Sequence, residues 1–449
     1  MSSPSPAAPV APETGLSGAW RAVWRWHFYA GLLVMPFLML LALTGGLYLF
    51  NAEIDRAVYA DMARVEARAE QASPDRWTAS ARVTTGGEVA NVLVPARQDE
   101  AVRITVRMLN DSKRTVFVDP HDAQVTGVTD YGGVMESVKR LHSLELFGPV
   151  MNIVVEIVAG WAIILVATGI FLWWPRGRPV GVVSIRATSP ARRPFWRDLH
   201  AVTGLYAGAV IVFLAVTGMP WSAVWGDRFL NVMRESGLGR PEAPGAAPWL
   251  HADHPNAPQG VGWTMENAAL PAHAHGAPSL TRVIDRAETT GMPRPWLISI
   301  PKSEGLAYAV AHQNTRVEDA RTLYIDGAGD QIRADIGYDR FGVGAKAFEW
   351  GIAVHQATQY GQINRLIMLG GCIAVWILSI SGLLMWWKRR PKGRLAAPVA
   401  PPGPRVRAAV LGIVIPLCIL YPLTGLSLLV AVGLDRAVAA IRKRMSAAV

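Results

Sequence analysis

The sequence predicts a membrane α-helical bundle of about five transmembrane helices, internally duplicated, with two α+β domains outside the membrane. Three observations carry this prediction. Of 449 residues, 51% are hydrophobic and only 17% charged, and five segments (roughly 28–50, 150–174, 200–225, 363–387 and 408–433) are apolar over the ~20 residues that a helix needs to cross a bilayer. Two long polar loops, about 51–140 and 226–350, lie between them. Landmark residues recur at matching spacings in the two halves, the mark of an internal repeat.

In chain order, residues 1–19 are rich in Ser, Pro and Ala and read as a disordered cytoplasmic N-terminus. The first helix, 20–50, is too long for a cleaved signal peptide and is expected to remain as an anchor. The first external domain spans 51–140, the second helix unit 141–175, a basic cytoplasmic loop 176–197 and the third helix 198–225. The second external domain spans 226–350 with an irregular His- and Pro-rich insertion at 235–280, followed by a fourth helix unit at 351–388, a cytoplasmic loop at 389–405, a fifth helix at 406–434 and a tail at 435–449.

Orientation follows from basic residues, which stay in the cytoplasm beside short loops. Arg21 and Arg25 precede the first span, and the connection between spans two and three carries Arg176, Arg178, Arg186, Arg192, Arg193 and Arg197. Lys388, Arg389, Arg390, Lys392 and Arg394 follow the fourth. The N-terminus is therefore inside and both long loops outside, with the C-terminal "IRKRM" as the one dissenting cluster. The net charge of +10 sits mostly in these flanks and points to a membrane lipid surface and away from nucleic acid. Trp173, Trp174, Trp386 and Trp387 fall at the inner interface as an aromatic belt. Cys372 and Cys418 both lie in apolar spans, so they read as packing residues and leave the external loops without disulfides.

The duplication rests on spacing. Thr44 and Gly45 follow His27 by 17 and 18 residues, as Thr217 and Gly218 follow His200. His142 precedes Thr168 by 26 residues and Trp173 by 31, and His355 precedes Ser381 and Trp386 by the same intervals; Gly148 and Gly361 each follow their histidine by 6. The loops share "RTVFVDPHDAQV" (114–125) and "RTLYIDGAGDQI" (321–332), alternating strands with Asp-Pro or Asp-Gly turns that read as β-hairpins. The fifth span echoes the first at an offset of 380 but has Arg407 where the histidine would fall.

His27 and His200 lie at the cytoplasmic ends of the first and third helices, and His142 and His355 just outside the second and fourth. Ionisable groups on membrane helices are expensive and face the bundle interior, where imidazole pairs can ligate haem iron. Gly31 and Gly204, one turn after their histidines, leave space there or permit close helix packing. Arg193 and Arg197, like Arg21 and Arg25, either hold haem propionates by charge-assisted bonds or are plain positive-inside residues. His251, His254, His273 and His275, in "HADH" and "HAH", lack cysteine partners and regular structure and read as a solvated loop more readily than as a metal site. No Gly-rich phosphate loop follows a strand, so no nucleotide site is expected.

The "LH…WWPR" segment (141–176), "RDLHAVTGLY…AVTG" (197–218), "VHQATQYGQINR…SGLLMWWKRR" (354–390) and the "VDPHDAQV" hairpin resemble the PepSY-associated transmembrane family. That resemblance covers nearly the whole chain apart from residues 1–19 and 235–280. It implies PepSY-like periplasmic domains, a multi-pass protein of the bacterial inner membrane, and one or two b-type haems with bis-His ligation by His27, His142, His200 and His355. Members include iron-regulated inner-membrane proteins and reductases of ferric siderophores such as ferrioxamine. Some relatives are fused to a flavoprotein reductase domain; the expectation here is a separate electron donor, a quinol or a flavoprotein. The resemblance thus implies a ferric-siderophore or ferric-chelate reductase, with a non-enzymatic binding protein for periplasmic partners or a transporter as the alternatives.

Overall fold

In a computed structural model of the chain, the residues described are 15–148, 150–175, 182–186, 189–236, 238–239, 278–301, 307–329, 331–390, 415–416 and 419–447. The elements run α1 (Gly15–Tyr48), α2 (Asn51–Val58), α3 (Ala60–Ala63), α4 (Pro74–Thr85), β1 (Glu88–Val94), β2 (Val102–Arg107), β3 (Lys113–Val118), β4 (Val125–Asp130), α5 (Gly133–His142), α6 (Met151–Trp173) and α7 (Arg193–Gly218). They continue with α8 (Trp225–Glu235), α9 (Leu280–Glu288), β5 (Trp296–Ser299), β6 (Tyr308–His312), β7 (Arg321–Ile325), β8 (Ile332–Gly337), α10 (Val343–His355), α11 (Gly361–Trp387) and α12 (Pro422–Ala447). The chain divides into two compact units, one of Met1–Leu43, Phe147–Asp227 and Gly370–Val449, the other of Thr44–Leu146 and Arg228–Leu369.

The first unit is helical. Among the described residues, four helical stretches are long and apolar enough to cross a membrane, Trp20–Tyr48, Met151–Trp173, Arg193–Trp221 and Gly361–Trp387. A helix satisfies its backbone internally, which is what a spanning segment requires. The expected fifth span falls partly outside the described residues; within them its apolar stretch is Pro422–Ala431, shorter than a span. α1, α6 and α12 share a core that includes Ala30, Val34, Val158, Trp161, Ile164 and Leu428. Trp161 Nε1 donates to Ser427 Oγ at 2.9 Å, and Gly160 lies against the Thr424 side chain where a Cβ would collide. Gly371 of α11 likewise faces Val210 and Leu214 of α7. Small residues at such crossings let the helix backbones approach. Leu33, Tyr206, Ile373, Ile380 and Leu429 stay exposed, the apolar exterior of a helix that meets lipid.

Among the described residues, the second unit is built on one antiparallel sheet of eight strands in the order β4-β3-β2-β1-β5-β6-β7-β8. Each long loop supplies a four-stranded meander, and the two join where β1 pairs β5, from Asn91 opposite Ser299 to Val94 opposite Trp296. This corrects the expectation of two separate α+β domains. Kept apart, β1 and β5 would each be an open edge with unpaired backbone groups, and pairing them removes both edges. The two expected hairpins are β3–β4 and β7–β8, and each has a register irregularity at the corresponding place, Phe117/Val118 and Tyr324/Ile325. Alternate strand residues, among them Val92, Ile104, Val116, Ile298 and Leu323, pack in one core with Trp77 and Ala81 of α4 and Val283, Ile284 and Ala287 of α9. The expected insertion at 235–280 lies almost wholly outside the described residues.

Asp75, in the first turn of α4, ties the two meanders. It accepts hydrogen bonds from Ser279 Oγ, Leu280 N and Thr281 Oγ1, all at 2.7 Å, at the start of α9. Burial pushes its carboxyl up, but these donors outweigh that effect and hold it below the usual carboxylate range. Replacing Asp75 by Ala strands three donors and should destabilise this unit by about 1.5–3 kcal/mol, read as a lower unfolding midpoint. Because the folded value is depressed, the stabilisation is complete above the unfolded value near pH 4 and is lost as pH falls through the folded one. The gap between wild type and Asp75→Ala should therefore stay constant from about pH 8 to about pH 5 and close in stronger acid.

Candidate functional site

Three of the four histidines are held by the hydroxyl residues whose spacing from them recurs in the sequence. In the helical unit, His27 Nδ1 on α1 lies 2.9 Å from Thr168 Oγ1 on α6. The Thr168 hydroxyl donates to Ile164 O at 2.6 Å. The imidazole is therefore the donor, and Nδ1 carries the proton. On α7, His200 Nδ1 lies 3.1 Å from both Leu378 O and Ser381 Oγ on α11. A carbonyl only accepts, and the Ser381 hydroxyl donates to Ile377 O at 2.6 Å, so the same tautomer follows. Both rings keep Nε2 with its lone pair.

The two imidazoles stand together, with ring centres 6.3 Å apart and planes at 83°. Each keeps some accessible surface. Glycine follows each hydroxyl partner: a Cβ at Gly169 would come within 3.4 Å of His27 Cε1, and one at Gly382 within 3.6 Å of His200 Cε1. At Gly31 and Gly204 a Cβ would meet only a leucine methyl, at 3.9 and 3.7 Å. The rings thus lie over glycine backbone, unhindered by side chains from that direction.

In the second unit, His142 Nδ1 lies 2.9 Å from Thr44 Oγ1. Burial, with the charge of neighbouring His142, pushes His355 down to about 3, so this imidazole is neutral. His142 and His355 end α5 and α10, and each is followed two residues on by a non-glycine in the left-handed region, Leu144 at φ 59° and Ala357 at φ 62°. Gly148 and Gly361, six residues after each histidine, have φ of 108° and 59°.

The arginines separate. Arg197 Nε and Nη2 bind Asp198 Oδ1 at 3.1 and 2.9 Å, and Arg186 binds the same buried carboxylate at 3.0 Å. Arg193 makes no ion pair among the described residues; burial and its charge push Arg389 below the ordinary arginine value. Arg389 stacks on Trp24 at 4.2 Å. Sequence reasoning singled out neither Asp198 nor the hydroxyl partners, although Thr44, Thr168 and Ser381 were the landmarks of the spacing. Arg176, Arg178, Arg407, Cys418, His251, His254, His273 and His275 lie outside the described residues.

Fold and site together define a class: a multi-helix membrane protein with paired helix-borne histidines and one antiparallel sheet built from its two long loops. The chain belongs to the family of the PepSY-associated TM region, whose family model matches residues 24–389. Among curated proteins none matches it.

The hydrogen-bond pattern has a direct spectroscopic consequence. Nitrogen NMR of histidine-labelled protein stripped of bound groups should find His200 protonated at Nδ1 and bare at Nε2 near neutral pH. Protonation at Nε2 instead would mean that Leu378 O is not its partner.

Proposed function

We propose that this protein is a haem-containing reductase of the bacterial inner membrane, carrying electrons outward to ferric siderophores or other ferric chelates in the periplasm. The His27–His200 pair carries the reading. Both rings leave Nε2 bare, and with a metal–imidazole bond of about 2 Å the two would hold one haem iron from ring centres about 6 Å apart. The observed separation is 6.3 Å. Bound there, haem b would supply one-electron transfer.

The chain's own residues suit that task. Thr168, Leu378 O and Ser381 set the tautomer, aim Nε2 and raise its basicity, as outer-shell partners of ligating histidines do. Arg193, with Arg389 near it, offers positive charge for carboxylates at the cytoplasmic end, and Arg197, already held by Asp198, is the second choice. His142 and His355 form the second site, at the external end by the positive-inside orientation. A quinol or flavoprotein gives up the electrons, and each Fe³⁺ takes one to become Fe²⁺. Hard oxygen donors hold Fe³⁺ more tightly than the softer Fe²⁺, so reduction loosens the chelate.

Purified protein should show a haem spectrum, and His200→Ala and His355→Ala should remove different components, each about half of the haem at full occupancy. Neither change altering the spectrum would make the histidines structural, and a colourless wild type would favour the binding or transport alternatives. Dithionite-reduced protein should be reoxidised by a ferric chelate, with ferrozine trapping the Fe²⁺; no reoxidation by any of several chelates would sink the reductase reading. Thr168→Val removes the acceptor of His27 Nδ1–H and should weaken haem retention at that site by about tenfold or more while sparing the His355 component.

A further inference from the structure

Glu156 is a carboxyl inside a membrane-spanning helix, with 0% of its surface exposed. Its Oε2 accepts from Val224 N at 3.0 Å and Trp225 N at 3.1 Å, amides at the start of α8 that a helix leaves without internal partners. Its other oxygen, Oε1, has no hydrogen-bond partner among the described residues. Neither do Ser222 Oγ and Thr424 Oγ1, which belong to residues only 7% and 1% exposed.

These oxygens come from segments that meet. Gly160, one turn beyond Glu156 on α6, lies against Thr424 of α12. Trp225, whose amide binds Glu156, packs on Tyr421, one turn before Thr424, with ring centres 6.0 Å apart. Ser222 follows the 3₁₀ turn Met219–Trp221, three residues before Trp225. Buried polar atoms without partners are rare, and three at one junction call for a common occupant.

We infer that Glu156, Ser222 and Thr424 form a binding site for one alkali-metal cation, Na⁺ or K⁺, within the helical unit. All three donors are oxygens, the ligands hard cations take. A single carboxylate balances a single positive charge, whereas a divalent ion would leave net charge buried in a medium of low dielectric. Bound there, the ion joins α6, the start of α8 and α12, and occupancy stabilises the fold by mass action. The site is independent of the haem reading.

The test uses the full chain purified in detergent, with choline chloride holding ionic strength constant. Equilibrium dialysis against radioactive Na⁺, and K⁺ in competition, should give saturable binding of one ion per chain, and the unfolding midpoint should rise with the concentration of the bound ion. Glu156→Gln and Thr424→Val, which keep side-chain volume, should each weaken binding by about tenfold or more. If Glu156→Gln does not fold, Ser222→Ala and Thr424→Val decide. A folded wild type without saturable binding of either ion, or variants that bind as tightly as wild type, would overturn the inference and leave buried water as the occupant.

Discussion

A polar side chain inside a bilayer has no water to bond, so its partner must come from the protein itself, and that constraint governs where His27 and His200 stand. An imidazole on one helix fixes a hydroxyl on the next: His27 with Thr168 and His200 with Ser381 in the helical unit, His142 with Thr44 in the other. The hydroxyls of Thr168 and Ser381 are themselves held by the carbonyls one turn back, so each is a positioned acceptor. A glycine follows each of those two and keeps the ring's flank clear. Helix register, ring orientation and tautomer are in this way consequences of one short pattern, written twice.

Outside the spans the same rule acts on backbone groups. A four-stranded meander ends in an open strand, and two such meanders have a mutual solution in the β1–β5 pair. The hydrophobic core then runs continuously under both halves, with α4 and α9 side by side upon it. Asp75 completes the join by capping the start of α9 from α4, so the two loops fold as one sheet with one core.

The sequence was legible where a pattern is local. The four described spans match apolar runs, the hairpins match alternation before an Asp turn, and the histidines were visible because they recur at fixed spacings in the sequence. Pairing of β1 with β5 left no trace, since both strands alternate in the same way whichever neighbour they take. Asp198 was hidden for a different reason: among so many arginines near one interface, charge counting explains all of them without asking what Arg186 and Arg197 bind. Glu156 passed as one acid in an apolar run, because its amide donors come from the far end of the next helix hairpin.

The turns after His142 and His355 bear on why imidazole sits at those two positions. A helix that ends through a left-handed residue normally uses glycine there, because a Cβ makes that conformation costly by about 1–2 kcal/mol. Here leucine and alanine occupy the position in both halves, two residues after the histidine. The strain persists because the surroundings overdetermine it. Each histidine is thus the last helical residue before a forced change of direction, and its ring is set by a rigid corner of the backbone. An imidazole fixed in that way would have little to reorganise if an electron passed, which is the property that the proposed role demands of it.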